Sequence, residues 1–154
     1  MGFSDELAGL YARDLARLRA QVELFPNDEA VWVVLPGVVN PAGTLVLHLE
    51  GNLREYVGRV LGGIAYVRDR PVEFSARGVS QRELAGRIAE VEGMIPGVVA
   101  GLSSEVMEGA YPGEGNGEVT STQRFLTHMY GHLGWHLGQI DYLRRMLAGG
   151  ESKA

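Results

Sequence analysis

TSTQRFLTHMYGHLGWHLGQIDYLRRMLAGG, residues 120–150, reads as one long helix. Thr120-Ser121-Thr122-Gln123 has the form of a capping box, and Gly149-Gly150 supplies the stop. The spacing predicts a helix over about 121–148. His128, His132 and His136 follow one another at intervals of four. At 100° per residue they drift by 40° per step and share a face. Phe125 and Leu143 lie on that face, so it is expected to point into the core. Three core imidazoles are costly unless each finds a partner. A metal ion is one way to satisfy them; a hydrogen-bonded or solvent-facing histidine stripe is the plainer alternative.

Outward from this helix, the rest of the chain is also helical in pattern. Leu7, Leu10, Tyr11, Leu15, Leu18 and Val22 recur at helical spacing over about 5–24, with Ser4 as the expected cap and Phe25-Pro26-Asn27-Asp28 as the end. AVWVVLPGVV, residues 30–39, is strand-like, but an isolated strand has no pairing partner, so an extended crossing segment is expected. Asn40-Pro41 marks the start of a second helix over about 41–61, closed by Gly62-Gly63. A loop of about fifteen residues containing RDRPVEF (68–74) follows. Ser80-Gln81-Arg82-Glu83 opens a third helix over about 81–102, which Pro96 is expected to kink or shorten. YPGEGNGEV, residues 111–119, reads as a loop. Four amphipathic helices most simply make an all-α, single-domain four-helix bundle spanning 1–154.

Composition narrows the function classes. Of 154 residues, 45% are hydrophobic and 21% charged, as in an ordinary globular domain. There is no cysteine, which removes disulfides, thiolate zinc sites and a cysteine nucleophile. A net charge of −5 gives no footprint for nucleic acid. The first residues carry no basic-then-apolar signal pattern. Gly2 is a weak acylation cue, because position 6 is Glu. The longest apolar run, 30–39, is half the length needed to span a bilayer. No membrane role is expected, and a cytoplasmic location is the default. Glycine, 22 of 154, is about twice as frequent as usual. Gly131, Gly134 and Gly138 are expected to allow close helix approach, to leave room for a pocket, or both.

Geometry restricts which histidines can share an ion. Two nitrogens bound to one ion at 2.0–2.1 Å lie within about 4.2 Å of each other. His128 and His136 are about 12 Å apart along the axis. The chelating pair is therefore 128/132 or 132/136. A further ligand must come from another helix, and the remaining histidine is His48 on the second helix, with Asn52 and Glu55 on nearly the same face. Three neutral imidazoles leave a divalent ion its full charge and an open position, as in catalytic sites. Such donors suit Zn, Ni, Fe or Cu. The HExxH motif is absent, Asp141 faces away from the histidines, Glu50 points elsewhere and Glu55 lies about 10 Å along the helix. No general base stands out. Gln139, one turn past His136, is a candidate to orient a ligand or bridge helices. Trp135, Tyr130 and Trp32 are expected as core or dimer contacts, Arg144 and Arg145 as complements to the helix dipole. Arg68, Asp69, Arg70 and Glu73 are expected to lock the crossover loop by ion pairs.

HMYGHLGWHLGQIDYLRRML (128–147), with His136-Leu137-Gly138-Gln139 following a histidine four residues earlier, resembles the last helix of the DinB-like (DinB/YfiT) superfamily of metal-binding four-helix bundles. NPAGTLVLHLEGNLREYV (40–57), a single histidine followed by Gly-Asn, is similar to that family's second helix. RDRPVEF looks like the connection of one uncharacterised branch. The likeness covers about 30–148. It implies that His48, His132 and His136 form the metal triad, selecting 132/136 over 128/132. It also implies an up-down-down-up bundle with a long crossover between helices two and three, and a homodimer. His128 is then additional: a satisfied core histidine first, otherwise a pocket or supporting residue. Relatives include thiol-dependent transferases and isomerases. The likeness thus implies a divalent metal (Zn or Ni, with Fe as a third choice), a low-molecular-weight thiol and a small-molecule ligand. A non-catalytic metal- or ligand-binding protein, or a structural dimer with a degenerate site, are the competing expectations.

Overall fold

In the computed structural model the second helix decides the architecture. α2, Ala42–Leu53, is buried on every side: each of its twelve residues lies in the interior. Its sequence, AGTLVLHLEGNL, is apolar nearly all round, the mark of a helix with no solvent face. His48, Glu50 and Asn52 are carried inside with it. The structure describes residues 1–115 and 117–148. Among these, α2 is joined by α1 (Phe3–Leu24), α3 (Arg70–Ser75), α4 (Gln81–Ala100), α5 (Ser104–Glu108) and α6 (Thr122–Leu147), with no strand.

α1 lies along α4 and also touches α6, while α2 packs on α3, α4 and α6. The shared core holds Leu15, Leu18, Leu49, Leu53, Leu84, Ile88, Ile95, Leu126, Leu133 and Ile140, each almost fully buried. At about 1.5–3 kcal/mol per side chain, these residues supply most of the drive for helix association. Polar ties set the orientation of α6. Tyr11 donates to the Leu126 carbonyl at 2.7 Å. Tyr130 donates to Asp14 at 2.8 Å, and Arg13 and Arg17 complete the pairing of that buried carboxylate. Tyr111 stacks on Phe125 with ring centroids 3.9 Å apart. No helix among the described residues is long and apolar enough to cross a membrane.

The helix ends depart from the sequence expectations in instructive ways. α1 starts ahead of Ser4: the Gly2 N–H donates to Asp5, and Ser4 lies inside the helix. At α2, Pro41 rather than Asn40 occupies the cap position. The helix does not run on regularly to residue 61; from Arg54 to Arg59 it loosens into a π-helix. α4 continues through Pro96 to Ala100, held by Ile95 and Val99, both fully buried. Ser80 caps α4 as expected, accepting from the Glu83 N–H; at α6 the cap is Ser121, accepting from the Arg124 N–H, one residue past the Thr120 that opens the expected capping box. The apolar segment 30–39 is a crossing segment, opened by a 3-10 turn over Ala30–Trp32. The expected stop at Gly149-Gly150 lies outside the described residues.

Two short helices are unexpected: α3 interrupts the crossover read as loop, and α5 lies in residues 103–110, which carry no sequence expectation. α3 is announced by Asp69, whose side chain accepts from the Val72 N–H, and by Pro71 in the first turn. Ser103 caps α5 in the same way. The glycines meet the expectations in part: Gly138 lines the groove beside His136, but close helix contacts lie elsewhere. Gly131, Gly134 and Gly138 are exposed, with open space where a Cβ would stand, so they form no close helix contact. Close approach occurs instead at Gly43, where a Cβ would meet the Trp32 ring at 2.7 Å, and at Gly51.

Candidate metal centre

α2 and α6 bring His48, His132 and His136 together. One side-chain nitrogen from each lies within 4.8 Å of the other two, an arrangement that could hold a metal ion. His132 Nε2 is 3.2 Å from His48 Nε2 and 3.2 Å from His136 Nε2. Two nitrogens bound at 2.0–2.1 Å and subtending about 100° at one ion stand about 3.2 Å apart, so the spacing fits. The rings are nearly perpendicular in pairs, at 79°, 86° and 88°, which aims three edges at one region rather than stacking faces.

The outer nitrogens show why the inner ones are donors. Glu73 Oε1 accepts from His48 Nδ1–H at 3.2 Å, and Gln139 Oε1 accepts from His136 Nδ1–H at 2.7 Å. In a neutral ring with its proton on Nδ1, Nε2 carries a lone pair. Two lone pairs therefore face His132 Nε2, and a single N–H there cannot serve both well. His132 Nδ1 is buried without a hydrogen-bond partner. A cation resolves this conflict. Burial, reinforced by His136 and His48, pushes the His132 ring down to about 4. Burial also lowers His136, against the opposing effect of Gln139. Both shifts favour the neutral form of the ring, the form able to ligate.

The other candidate residues separate clearly. His128 is exposed, in a surface hollow with Phe3, Gln123, Arg124 and Thr127, and is not a satisfied core histidine. The 40° drift per step is the reason: the buried face of α6 passes through Leu126, Met129, Leu133, Ile140 and Leu143. His136 and His132 border this face, and His128 is rotated past it. Asn52 is buried one turn after His48, with its Oδ1 unpartnered. Glu55 lies in the π-helical stretch and pairs with Arg59. Trp135 is 70% exposed, so it is no core residue. It lines a groove of about 1040 Å³ with Val38, Leu45, Tyr142, Leu143 and Met146, and His136 forms part of the same wall. A separate hollow of about 820 Å³ between α1 and α4 touches none of the histidines.

Sequence reasoning placed Glu73 in the crossover but missed its contact with His48. The short helix α3 delivers it, 6% exposed, against α2. Arg68 forks onto both its oxygens, at 2.8 and 2.9 Å. Burial alone would raise the Glu73 carboxyl, but hydrogen bonds from His48 and Arg68 outweigh it and hold the group below the usual carboxylate range. The Asp69–Pro71 helix-start signal was the available clue. The remaining acids near the candidate helices are likewise engaged: Glu50 with Arg54 and Arg87, Asp141 with Arg144 and Arg145. Arg144 also donates to Gln21 at 2.6 Å, which commits it to structure. Compared with protein-family models, curated proteins and solved structures, the chain finds no match.

Proposed function

We propose that this protein is a divalent-metal-dependent enzyme of the DinB-like type, built on an up-down-down-up four-helix bundle, with His48, His132 and His136 as the metal ligands. The convergence of three Nε2 atoms, two of them with their opposite nitrogens donating to acceptors, carries the reading. When bound, a divalent ion such as Zn or Ni supplies Lewis acidity at an open position suited to a small-molecule thiolate or carboxylate. The protein's share is to hold three neutral imidazoles in place. Glu73 orients His48, Gln139 orients His136, and burial keeps protons off His132 and His136. Glu50, Glu55, Glu73 and Asp141 are all ion-paired, so none stands ready as a general base. That favours transfer or isomerisation through a low-molecular-weight thiol over carboxylate-assisted hydrolysis. The groove beside His136 has a suitable size for the small-molecule substrate.

The test has two stages. Purified protein is assayed for bound metal, then for turnover of thiol adducts with the metal restored. Metal-dependent turnover that vanishes in His132→Ala supports the reading. A metal-loaded protein inert with the common bacterial thiols supports the second reading, a non-catalytic metal- or ligand-binding bundle, which the ion pairing of every candidate base also favours.

The same proposal includes a homodimer. Trp135, Tyr142 and Met146 stand 57–70% exposed along one side of α6, and Val39, 87% exposed, lies beside them. A contiguous apolar patch of this kind supports association through α6.

A further inference from the structure

The segment between α2 and α4 carries a device that an ordinary connection does not need. Asp69 caps α3, Pro71 sets its first turn, and the six-residue helix places the Glu73 carboxylate beside His48. The space is prepared on the opposite side. Gly51, three residues past His48, has no side chain where the carboxylate sits; a Cβ there would fall on Oε2 and within 2.6 Å of Cδ. Arg68 grips the carboxylate through two nitrogens, and its guanidinium lies 5.5 Å over the Tyr56 ring. The Phe74 ring closes the His48 flank at 5.0 Å. An ion pair serving only to pin the loop could sit anywhere along α2. This one ends on the single ring nitrogen that determines which way His48 presents its lone pair.

We propose that Glu73, seated by Gly51 and Arg68, is a positioning residue of the histidine centre. It holds His48 with the proton on Nδ1 and Nε2 turned toward His132. The inference rests on the reading of the three histidines as a metal site, and carboxylates behind metal-bound histidines are a general means of fixing tautomer and ring orientation.

The experiment uses the full chain with histidine labelled in nitrogen-15. Long-range proton–nitrogen correlations of the metal-free protein read the His48 tautomer, and competition with a chromogenic chelator reads Zn2+ affinity. Wild type shows the His48 proton on Nδ1. Glu73→Ala loses that preference and binds Zn2+ about 10–100-fold more weakly. Glu73→Gln, equal in size and still offering an oxygen, recovers the tautomer and part of the affinity. It also keeps the test open if the alanine variant folds poorly. A His48 proton that stays on Nδ1 in Glu73→Ala, or Zn2+ affinity within twofold of wild type in both variants, overturns the proposal. If wild-type protein takes up no Zn2+ in a His132-dependent way, the metal reading fails on its own. The tautomer in metal-free Glu73→Ala then decides the role of Glu73: lost, it stands; retained, it falls.

Discussion

His132 and His136, one turn apart on α6, point their Nε2 atoms at each other across 3.2 Å, while His128, one turn earlier, is exposed. Three histidines at equal spacing are thus not equivalent. Replacing His48, His132 or His136 by alanine is expected to lower Zn2+ affinity by more than about 100-fold, beyond the loss typical of an orienting residue. His128→Ala is expected to stay within about twofold of wild type. Titration of the four variants checks this; equal loss in His128→Ala contradicts the triad.

Acid should unmake the metal-free centre. The His132 ring is held near 4 in the folded chain against its ordinary 6.5, chiefly by burial and then by His136, His48, His128 and Arg68. Between those values the unfolded chain carries more protons on this residue, so stability rises with pH through the window and falls as pH drops from about 6.5 to about 4. The ring is only half-buried, and solvent trims the effect to about 1–2 kcal/mol. Urea melts of chelator-treated protein across this range, compared with His132→Gln, isolate the contribution. Matching slopes in the two proteins would contradict it.

Glycine positions give opposite signs. Gly51→Ala forces a methyl group onto the Glu73 carboxylate and is expected to cost about 1–3 kcal/mol, as overpacking does. Gly93→Ala, at an exposed position of α4 with open space where the Cβ would stand, is expected to gain about 0.5–1 kcal/mol from helix propensity. For a chain of this size each kcal/mol moves the melting temperature by about 2–4 °C. Thermal melts that rank the two variants the other way would refute the assignment of Gly51 as the carboxylate's seat.

The apolar side of α6 predicts a concentration-dependent species. Sedimentation velocity of wild type is expected to show a dimer, and Trp135→Glu a monomer with unchanged helicity, because a charge at the centre of an apolar contact is left unpaired on association. A wild-type monomer at all concentrations tested would remove the homodimer from the proposed function.

Much of this was readable along the chain. The long helices follow from apolar spacing, and Ser80 was legible as a cap because capping is a local interaction; at α6 the capping box points to Thr120, one residue short of the actual cap Ser121. Helix geometry left two histidine pairs, 128/132 and 132/136, and the choice of the second came from the resemblance to the DinB-like family rather than from spacing. α3 was not legible as a helix, since six residues carry too little periodicity and only Asp69 and Pro71 hint at it. Of the places expected for Trp135, only the core is excluded: a large aromatic usually signals burial, whereas here it falls on the side of α6 that no other helix covers and lines the groove beside His136. The open surroundings of Gly131, Gly134 and Gly138 share that cause.

Composition and periodicity by themselves determined that the chain is helical, without thiolate chemistry, and carries imidazoles on two helices, because these depend on residue type and on the 3.6-residue turn. Only the tertiary structure decided which imidazoles meet, that α2 is enclosed on all sides, and that Glu73 reaches His48 through the space left at Gly51. Those contacts join residues 22 to 88 positions apart. They arise from how the helices pack, which the local pattern of residues does not encode.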